Sequence, residues 1–271
     1  KTFLAALEAK KQRLDSFRPL PPDLVRNLEG WLKVELTYTS NAIEGNTLSR
    51  AETALIVEKG LTVEGKTLTE HLEAVNHAQA LDFISTLGRL KRSDVTERQL
   101  LELHRLILQK IDDTNAGRYR TVAVRIAGSR AIMPNPVKVP QLMDEFIAWL
   151  HTARGNELVI AADAHFLLVS IHPFTDGNGR TARLLMNLLL MITGYPSAII
   201  RKEDRKRYID SIEAGQLGKS LNDYYTLIFE SVDQSLDIYL EGVEKKQEVE
   251  AAMSKPLLKI GELAKIAGVT V

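Results

Sequence analysis

The chain has 271 residues, with 35 Lys plus Arg and 35 Asp plus Glu, so its formal net charge is zero. This balance and a hydrophobic share of 45% exclude a disordered chain and argue against a surface that binds nucleic acid throughout. No cysteine is present, which excludes disulfides, thiolate chemistry and cysteine-based zinc sites. We expect one large domain or two ordinary ones, in a reducing compartment such as the cytoplasm.

No segment predicts secretion or a membrane partner. The longest apolar run, Leu184–Ile192, is too short to cross a bilayer. Residues Lys1–Lys11 lack the apolar core of a signal peptide. Because the first residue is not Met, we expect the chain to start inside a longer gene product.

Helical patterns follow one another along most of the chain. A helix is predicted over 23–43 after a pair of prolines, and Gly45 is its expected stop. Capping boxes at Ser49, Thr67 and Thr96 open three further helices, since each is followed three positions later by Glu or Gln. The further helices are predicted over about 50–60, 68–87, 97–110, 140–153, 158–171, 179–193, 203–214 and 220–240. The sequence therefore predicts an all-α, mainly helical fold.

One segment departs from the helical pattern. Residues Tyr119–Met133 alternate loosely, are rich in β-branched side chains and contain Gly128-Ser129 in their middle. Such a pattern is typical of a short β-hairpin. An isolated hairpin is barely stable, so we expect it to lie over other parts of the protein.

The end of the chain changes in character. Residues 241–250 are almost all charged, and Lys255-Pro256 separates them from the mildly basic, partly apolar segment Ile260–Val271. This order predicts a linker followed by the first half of a helix-turn-helix, with Gly268 in the turn. An ordinary terminal helix is the alternative.

The most informative segment runs from His172 to Arg183 and reads His-Pro-Phe-Thr-Asp-Gly-Asn-Gly-Arg-Thr-Ala-Arg. His172 precedes a proline, which disfavours helical geometry there and predicts a helix-to-loop junction. Gly177 and Gly179 allow backbone N–H groups to converge on an anion, and a helix N-terminus follows. This arrangement favours a site for phosphate groups.

Charged side chains complete this segment. Arg180 and Arg183 are three residues apart, so they lie on one helix face and can hold a polyphosphate by bidentate hydrogen bonds. Asp176 offers a hard oxygen ligand suited to Mg²⁺. With His172 as a general base, the set is suited to phosphoryl or nucleotidyl transfer. A metal site of His165, His172 and Asp176 is disfavoured because the proline breaks the helical register.

This string resembles the Fic family signature, H-x-F-x-[D/E]-G-N-G-R-x-x-R, at every defined position. The resemblance implies a Fic fold with the predicted hairpin as its flap. It also implies transfer of AMP from ATP to a Tyr, Thr or Ser hydroxyl of a target protein. His172 would then be the base, Phe174 the core anchor of the loop, and Asp176 the Mg²⁺ ligand.

The resemblance also assigns nucleotide-binding and flap residues. Those expected to bind ATP are Gly177, Asn178, Gly179, Arg180, Thr181, Ala182, Arg183, Tyr208 and Gln216. Those at the flap turn are Ile126, Ala127, Gly128 and Ser129. For Tyr208, plain packing stays the alternative.

A second string resembles the family's inhibitory motif, [S/T]-x-x-x-E-[G/N]. It comprises Ser40, Glu44 and Gly45 with the three residues between the first two. A carboxylate at Glu44 facing Arg183 would form a charge-assisted pair and keep that arginine from the γ-phosphate of ATP. A helix end capped by Gly45 is the alternative reading.

These interpretations divide the chain into an N-terminal helical region with the inhibitory motif (1–95), a Fic catalytic core (96–240), and a linker with the start of a winged-helix or helix-turn-helix domain (241–271). Two other functions stay open: removal of AMP or another phosphate transfer, and a DNA-binding regulator whose core senses nucleotide. Monomer and homo-oligomer also both stay open, and DNA is a further candidate partner.

Overall fold

The computed structural model describes residues 2–253, and the side chains of residues 3–248. Within this range the fold is built from ten α-helices and contains no β-strand. In chain order the helices are α1 (Thr2–Ser16), α2 (Pro22–Ile43), α3 (Arg50–Lys59), α4 (Leu68–Leu87), α5 (Glu97–Leu108), α6 (Val139–Thr152), α7 (Glu157–Ile171), α8 (Asn178–Ile192), α9 (Arg205–Gln216) and α10 (Asn222–Met253). The predicted all-α fold is confirmed.

The predicted capping boxes are all present. In each, the hydroxyl of Ser49, Thr67 or Thr96 accepts a hydrogen bond from the backbone N–H three residues later. The Glu or Gln side chain at that later position accepts from the backbone N–H of the capping residue. Two of the four free N–H groups at each helix start are thereby satisfied, which fixes where α3, α4 and α5 begin.

Helix α8 is the centre of the protein. Its residues from Arg180 to Leu190 are all buried, and it packs against α7, α5, α4 and α2. Helices α7 and α8 are joined only by the short loop 172–177, so they lie side by side along most of their length. The loop with the family motif is therefore held between two helices of the core.

Helix α1 was not predicted from the sequence. Its Leu7 and Leu14 are fully buried one heptad apart, and the helix packs along α10. Lys10 forms ion pairs with Asp233 and Asp237 of α10, at 2.6 and 2.8 Å. The helix is held by tertiary packing rather than by a sequence cap, which is why its start carries no visible signal.

The predicted β-hairpin over Tyr119–Met133 is wrong: this segment is an irregular loop with a turn at Ile126–Ser129. Side chains satisfy the backbone in place of strand pairing. Arg120, which is 3% exposed, donates to the backbone oxygens of His172, Val122 and Pro134. A two-stranded hairpin has little stability of its own, and these tertiary bonds outweigh its pairing.

The charged stretch from residue 241 does not interrupt the last helix, because α10 continues from the predicted end near 240 to Met253. The predicted helix-turn-helix at Ile260–Val271 lies outside the described residues. Among the helices of the described part, none has the length and apolar character needed to cross a membrane.

Candidate active site

His172 ends α7 in a left-handed backbone conformation, with φ 51° and ψ 59°. Such a conformation is rare for a residue with a side chain, and it turns the chain sharply into the motif loop. The imidazole Nδ1 lies 3.3 Å from the carbonyl oxygen of Val169. Because a carbonyl only accepts, the ring proton sits on Nδ1 and Nε2 keeps its lone pair. Burial lowers the pKa of His172 below its ordinary 6.5, so the ring is neutral at pH 7.

The loop between α7 and α8 is fastened at both ends. The side-chain amide of Asn178 accepts from the Phe174 N–H and donates to the Phe174 carbonyl, both at 2.9 Å. The ring of Phe174 is fully buried and stacks on His104 with centroids 3.6 Å apart. His104 in turn donates from Nε2 to the Asp176 carbonyl, at 2.9 Å. The predicted anchor role of Phe174 agrees with this packing.

Gly177 is the N-cap of α8 and has a positive φ of 74°. A Cβ there would come within 3.3 Å of the His104 ring and of Ile107, so a larger residue has neither the space nor the backbone freedom. The first turn of α8 therefore presents its free N–H groups at the loop. The Gly177 N–H donates to Asp176 Oδ1 at 2.7 Å, and no side chain of the described residues caps the N–H groups of Asn178 and Gly179, as suits an anion site.

Arg183 is bound by the last turn of α2 and the residue after it. Its Nε donates to Ser40 Oγ at 3.0 Å, and Nη2 donates to the Ser40 carbonyl at 2.9 Å. Nη2 also donates to Glu44 Oε1 at 2.7 Å. The side chain of Arg183 is 6% exposed and that of Glu44 is 36% exposed. Burial by itself lowers the pKa of Arg183, but the charge of Glu44, the Tyr208 oxygen and the hydrogen bonds to both residues together outweigh burial, so that pKa is raised.

The Glu44 carboxylate lies directly over the first turn of α8. A Cβ built at Gly179 would be 2.5 Å from Glu44 Oε1 and 3.0 Å from Arg183 Nη1. The side chain thus occupies the space that the glycine leaves open, at the positive end of the helix dipole. An anion already sits where the motif is expected to hold a phosphate.

Arg180 is paired in a way the sequence did not predict. It is 3% exposed; its Nη1 donates to Glu73 Oε1 at 2.9 Å and its Nη2 to Asp176 Oδ2 at 3.2 Å. The Nε atom of Arg180 is buried without a partner. Glu73 belongs to α4, 107 positions away in sequence. One edge of the guanidinium is therefore compensated inside the protein, and the other faces the loop.

Asp176 is the exposed member of this set, with 70% of its side chain accessible. Mg²⁺ in proteins is usually held by one or two carboxylates together with substrate phosphates and water. A single accessible carboxylate beside an anion-binding helix end fits that pattern. The described residues contain no group of three His, Cys, Asp or Glu able to hold a metal.

Tyr208 belongs to a buried chain of hydrogen bonds. Tyr224 donates to the Ala162 carbonyl at 2.7 Å, so its oxygen accepts from His165 Nδ1 at 2.8 Å. His165 Nε2 then accepts from Tyr208 at 2.6 Å, and Arg183 Nη1 lies 3.5 Å from the Tyr208 oxygen. Burial, with a smaller effect of the Arg183 charge, lowers the pKa of His165 to about 3. Tyr208 is 3% exposed, so its role toward the adenine ring stays a prediction.

Gln216 lies in the last turn of α9, and the flap turn contacts the same turn of that helix. Gln216 Nε2 is 3.4 Å from the Val169 carbonyl and 3.5 Å from Ser170 Oγ, close to the His172 end of α7. Ser129 donates to Glu213 of α9 at 3.0 Å, which ties the flap turn to the same helix. Both groups are thus brought near the loop, although their predicted roles stay predictions.

Sequence reasoning missed Glu73, His104 and Glu213. Each lies in a helix whose pattern is otherwise ordinary, and a charged or polar residue in such a helix usually faces solvent. The one available signal was helix position. Glu73 lies on the same helix face as Asn76, and His104 on the same face as Leu100, and both Asn76 and Leu100 are buried. A charged or imidazole side chain on an apolar face needs a partner.

Comparisons with known proteins agree with this geometry. A family model described as Fic/DOC family matches residues 94–190. The solved structure of Fic-1 (aa134 - 508) from C. elegans is 31% identical, with a TM-score of 0.79, and the match covers 89% of this chain and 71% of that one. A Fic domain containing signaling protein from Bacteroides thetaiotaomicron is 27% identical with a TM-score of 0.78, covering 90% and 98%. The chain belongs to the Fic/DOC family.

Curated relatives carry the name Protein adenylyltransferase Fic. The protein of that name from Culex quinquefasciatus is 37% identical over 237 residues, which are 86% of this chain and 47% of that protein. The one from Drosophila melanogaster is 38% identical over 206 residues, 75% and 41% respectively. The chain thus spans about half the length, or somewhat less, of the curated relatives it matches.

Proposed function

We propose that the chain is a protein adenylyltransferase, which transfers AMP from ATP to a Tyr, Thr or Ser hydroxyl of a target protein. The observation that carries the proposal is the pairing of a neutral His172, with a free Nε2 lone pair, and the uncapped N-terminus of α8 one short loop away. One group accepts a proton and the other binds an anion. The names of the relatives add support.

The proposed reaction needs one base. The hydroxyl oxygen of the target attacks the α-phosphorus of ATP, a new P–O bond forms, and the bond to the bridging oxygen breaks. Pyrophosphate leaves with that electron pair, and His172 Nε2 accepts the hydroxyl proton. The lowered pKa of His172 keeps its ring unprotonated at neutral pH, so the base is available without prior titration.

The proposed phosphate site uses the first turn of α8. The backbone N–H groups of Asn178 and Gly179 lie at the positive end of the helix dipole, whereas the Gly177 N–H donates to Asp176 Oδ1 at 2.7 Å. Arg180 and Arg183 add two guanidiniums, and the side chains of Thr181 and Ala182 are buried behind them. Asp176 would hold Mg²⁺, which when bound neutralises part of the phosphate charge.

Self-inhibition by Glu44 follows from the same geometry. Its carboxylate lies over Gly179 and accepts a hydrogen bond from Arg183. The γ-phosphate of ATP therefore lacks both the space over Gly179 and an Arg183 side chain free to bind it. An ATP bound with its phosphates displaced presents its α-phosphorus at the wrong angle. A displacement of about 1 Å costs roughly a hundredfold in rate. Ser40 and Gly45 serve this arrangement as a second acceptor for Arg183 and as the turn after α2.

Several assignments extend the proposal. Tyr208 and Gln216 are proposed to face the nucleotide base, and the turn at Ile126–Ser129 is proposed to align the target segment. The division into 1–95, 96–240 and 241–271 is kept as a proposal, and the family match at 94–190 overlaps the central part except for its first two residues. DNA binding by the last segment, a homo-oligomer and a cytoplasmic location also remain proposals.

The test is intact-mass spectrometry after incubation with ATP and Mg²⁺. The Glu44→Gly variant should gain one or more AMP units on its own Tyr, Thr or Ser side chains, and wild type far fewer. Adding His172→Ala to Glu44→Gly should abolish the gain. No added mass on Glu44→Gly with ATP, also in the presence of a cell extract supplying targets, would sink the proposal.

A further inference from the structure

Glu73 of α4 contacts three parts of the candidate site at once. Its Oε1 accepts from Arg180 Nη1 at 2.9 Å, and its Oε2 accepts from Asn46 Nδ2 at 2.8 Å. Its backbone oxygen accepts from Asn41 Nδ2 at 3.1 Å. Asn41 and Asn46 stand on either side of Glu44. One residue outside the family match is thus bonded to both flanks of the inhibitory segment and to the motif helix.

Of the two ion pairs that Arg180 forms, the pair with Glu73 is the stronger. Glu73 has a side chain 17% exposed, whereas Asp176, the other partner, is 70% exposed. An ion pair shielded from water interacts more strongly than a solvated one. Glu73 therefore sets the orientation of the guanidinium, and leaves its Nη2 edge toward the loop.

The backbone around Glu44 depends on the same anchor. The N–H groups of Glu44 and Asn46 both donate to the Asn41 carbonyl at 3.0 Å, which forms a tight turn after α2. Outside this turn, the side chains of Asn41 and Asn46 are fixed through α4: Asn46 reaches Glu73 Oε2 and the Glu70 carbonyl, and Asn41 reaches the Glu73 carbonyl. Loss of the Glu73 carboxylate removes one of these hydrogen bonds and leaves Arg180 with the exposed Asp176 as its one ion-pair partner among the described residues.

We propose that Glu73 is a positioning residue that orients Arg180 for phosphate and, through Asn46, holds the segment carrying Glu44 over α8. The effect on AMP transfer rests on the proposed function, whereas the effect on the Glu44 segment does not. Glu73 thereby couples the inhibitory segment to the phosphate site. Its carboxylate aligns Arg180, and it also holds in place Glu44, which pairs with Arg183.

The first test is amide hydrogen exchange on the full chain. Glu73→Gln keeps the size of the side chain and loses its charge, and exchange at residues 44–46 should become at least about tenfold faster. Glu73→Asp, which keeps the charge but is too short to span Asn46 and Arg180, should act in the same direction. Asp82→Asn is the matched control. Asp82 also joins α4 to α2, through an exposed ion pair with Lys33, but this pair lies away from Glu73 on α4 and from residues 44–46 after α2.

The second test is a double-mutant comparison of self-labelling at saturating ATP and Mg²⁺. With Glu44 present, Glu73→Gln should raise labelling by about fivefold, since the inhibitory segment is loosened. In the Glu44→Gly background it should give no rise, and should increase the KM for ATP about tenfold with kcat nearly unchanged. A residue needed only for stability would change both backgrounds alike.

The outcomes separate the two proposals. Unchanged exchange at 44–46 in both Glu73 variants, or an equal change in Asp82→Asn, overturns the role of Glu73. An equal effect of Glu73→Gln on labelling in both backgrounds overturns it as well. If Glu44→Gly itself incorporates no AMP, the proposed activity fails, and the exchange measurement still decides the role of Glu73.

Discussion

Glu44 Oε1 lies 2.7 Å from Arg183 Nη2, although the two residues are 139 positions apart in sequence. The pair joins the end of α2 to the last residue of the motif, and the carboxylate covers Gly179 in the first turn of α8, where the absence of a side chain leaves room for it. One oxygen, Glu44 Oε1, therefore both compensates the charge of a buried arginine and obstructs the anion site.

Charge and volume at position 44 should be separable. We expect Glu44→Gly to raise self-labelling with α-labelled ATP by roughly a hundredfold, because both the pairing and the obstruction are lost. Glu44→Gln keeps the volume and a weaker, neutral hydrogen bond, so its gain should be about tenfold. Glu58→Gln, an exposed glutamate of α3, is the control and should equal wild type. Equal labelling by wild type and both Glu44 variants contradicts the prediction.

Removal of the Ser40 hydroxyl should release the inhibition in part. Ser40→Ala deletes the acceptor of Arg183 Nε but leaves the backbone acceptor and Glu44, so we expect about a fivefold rise in labelling. Ser40→Thr keeps the hydroxyl and should match wild type. A rate for Ser40→Ala equal to that of Ser40→Thr, in proteins of equal Tm, would show that this hydrogen bond is irrelevant to inhibition.

The base should determine both the rate and its pH dependence. In the Glu44→Gly background, His172→Ala is expected to lower labelling at least about a hundredfold, with ATP affinity by calorimetry changed less than about threefold. The active form of the base is deprotonated, and burial lowers its pKa below 6.5. The rate should therefore be level at neutral pH and fall only on acidification below 6.5. A half-maximal pH above that value argues against His172 as the titrating group.

Buried histidines should make the fold sensitive to acid. Burial lowers the pKa of His77 and His165 to about 3 and that of His104 to about 4, below the ordinary 6.5. The unfolded chain then binds more protons, so the free energy of unfolding decreases as pH falls below 6.5. Each histidine contributes a loss of about 2 kcal/mol between pH ~7 and pH ~5.

The measurement is urea unfolding of wild type and His104→Gln at several pH values. Glutamine can still donate to the Asp176 carbonyl but cannot take up a proton, so the variant should lose about one third less stability than wild type over that range. His104→Gln and wild type following parallel curves would mean that His104 does not titrate on unfolding.

The sequence predicts element positions well where the signal is local. Helix α4 begins at Leu68 and ends at Leu87 as predicted, since its capping box fixes the start through bonds three residues apart. The motif is equally local, and the structure brings its histidine, glycines and arginines to one loop and one helix. Ser40 and Glu44, both from the second string, accept hydrogen bonds from Arg183.

What the sequence could not predict depends on distant partners. The alternation in Tyr119–Met133 resembles strands, yet Arg120 bonds to His172, Val122 and Pro134 replace the pairing. Glu73 is indistinguishable from a solvated helix residue until Arg180 is placed beside it. The sequence of α1 opens with neither a capping box nor a proline, and the helix packs along α10.

The three acceptors that the end of α2 offers to Arg183 have a consequence for regulation. Ser40 Oγ, the Ser40 carbonyl and Glu44 all belong to one end of α2, so they leave the arginine together when that end moves. Intermediate positions would strand a guanidinium that is almost completely buried. Individual molecules are then either fully restrained or fully released, and a regulator of this protein changes the fraction of competent molecules rather than the turnover of each one.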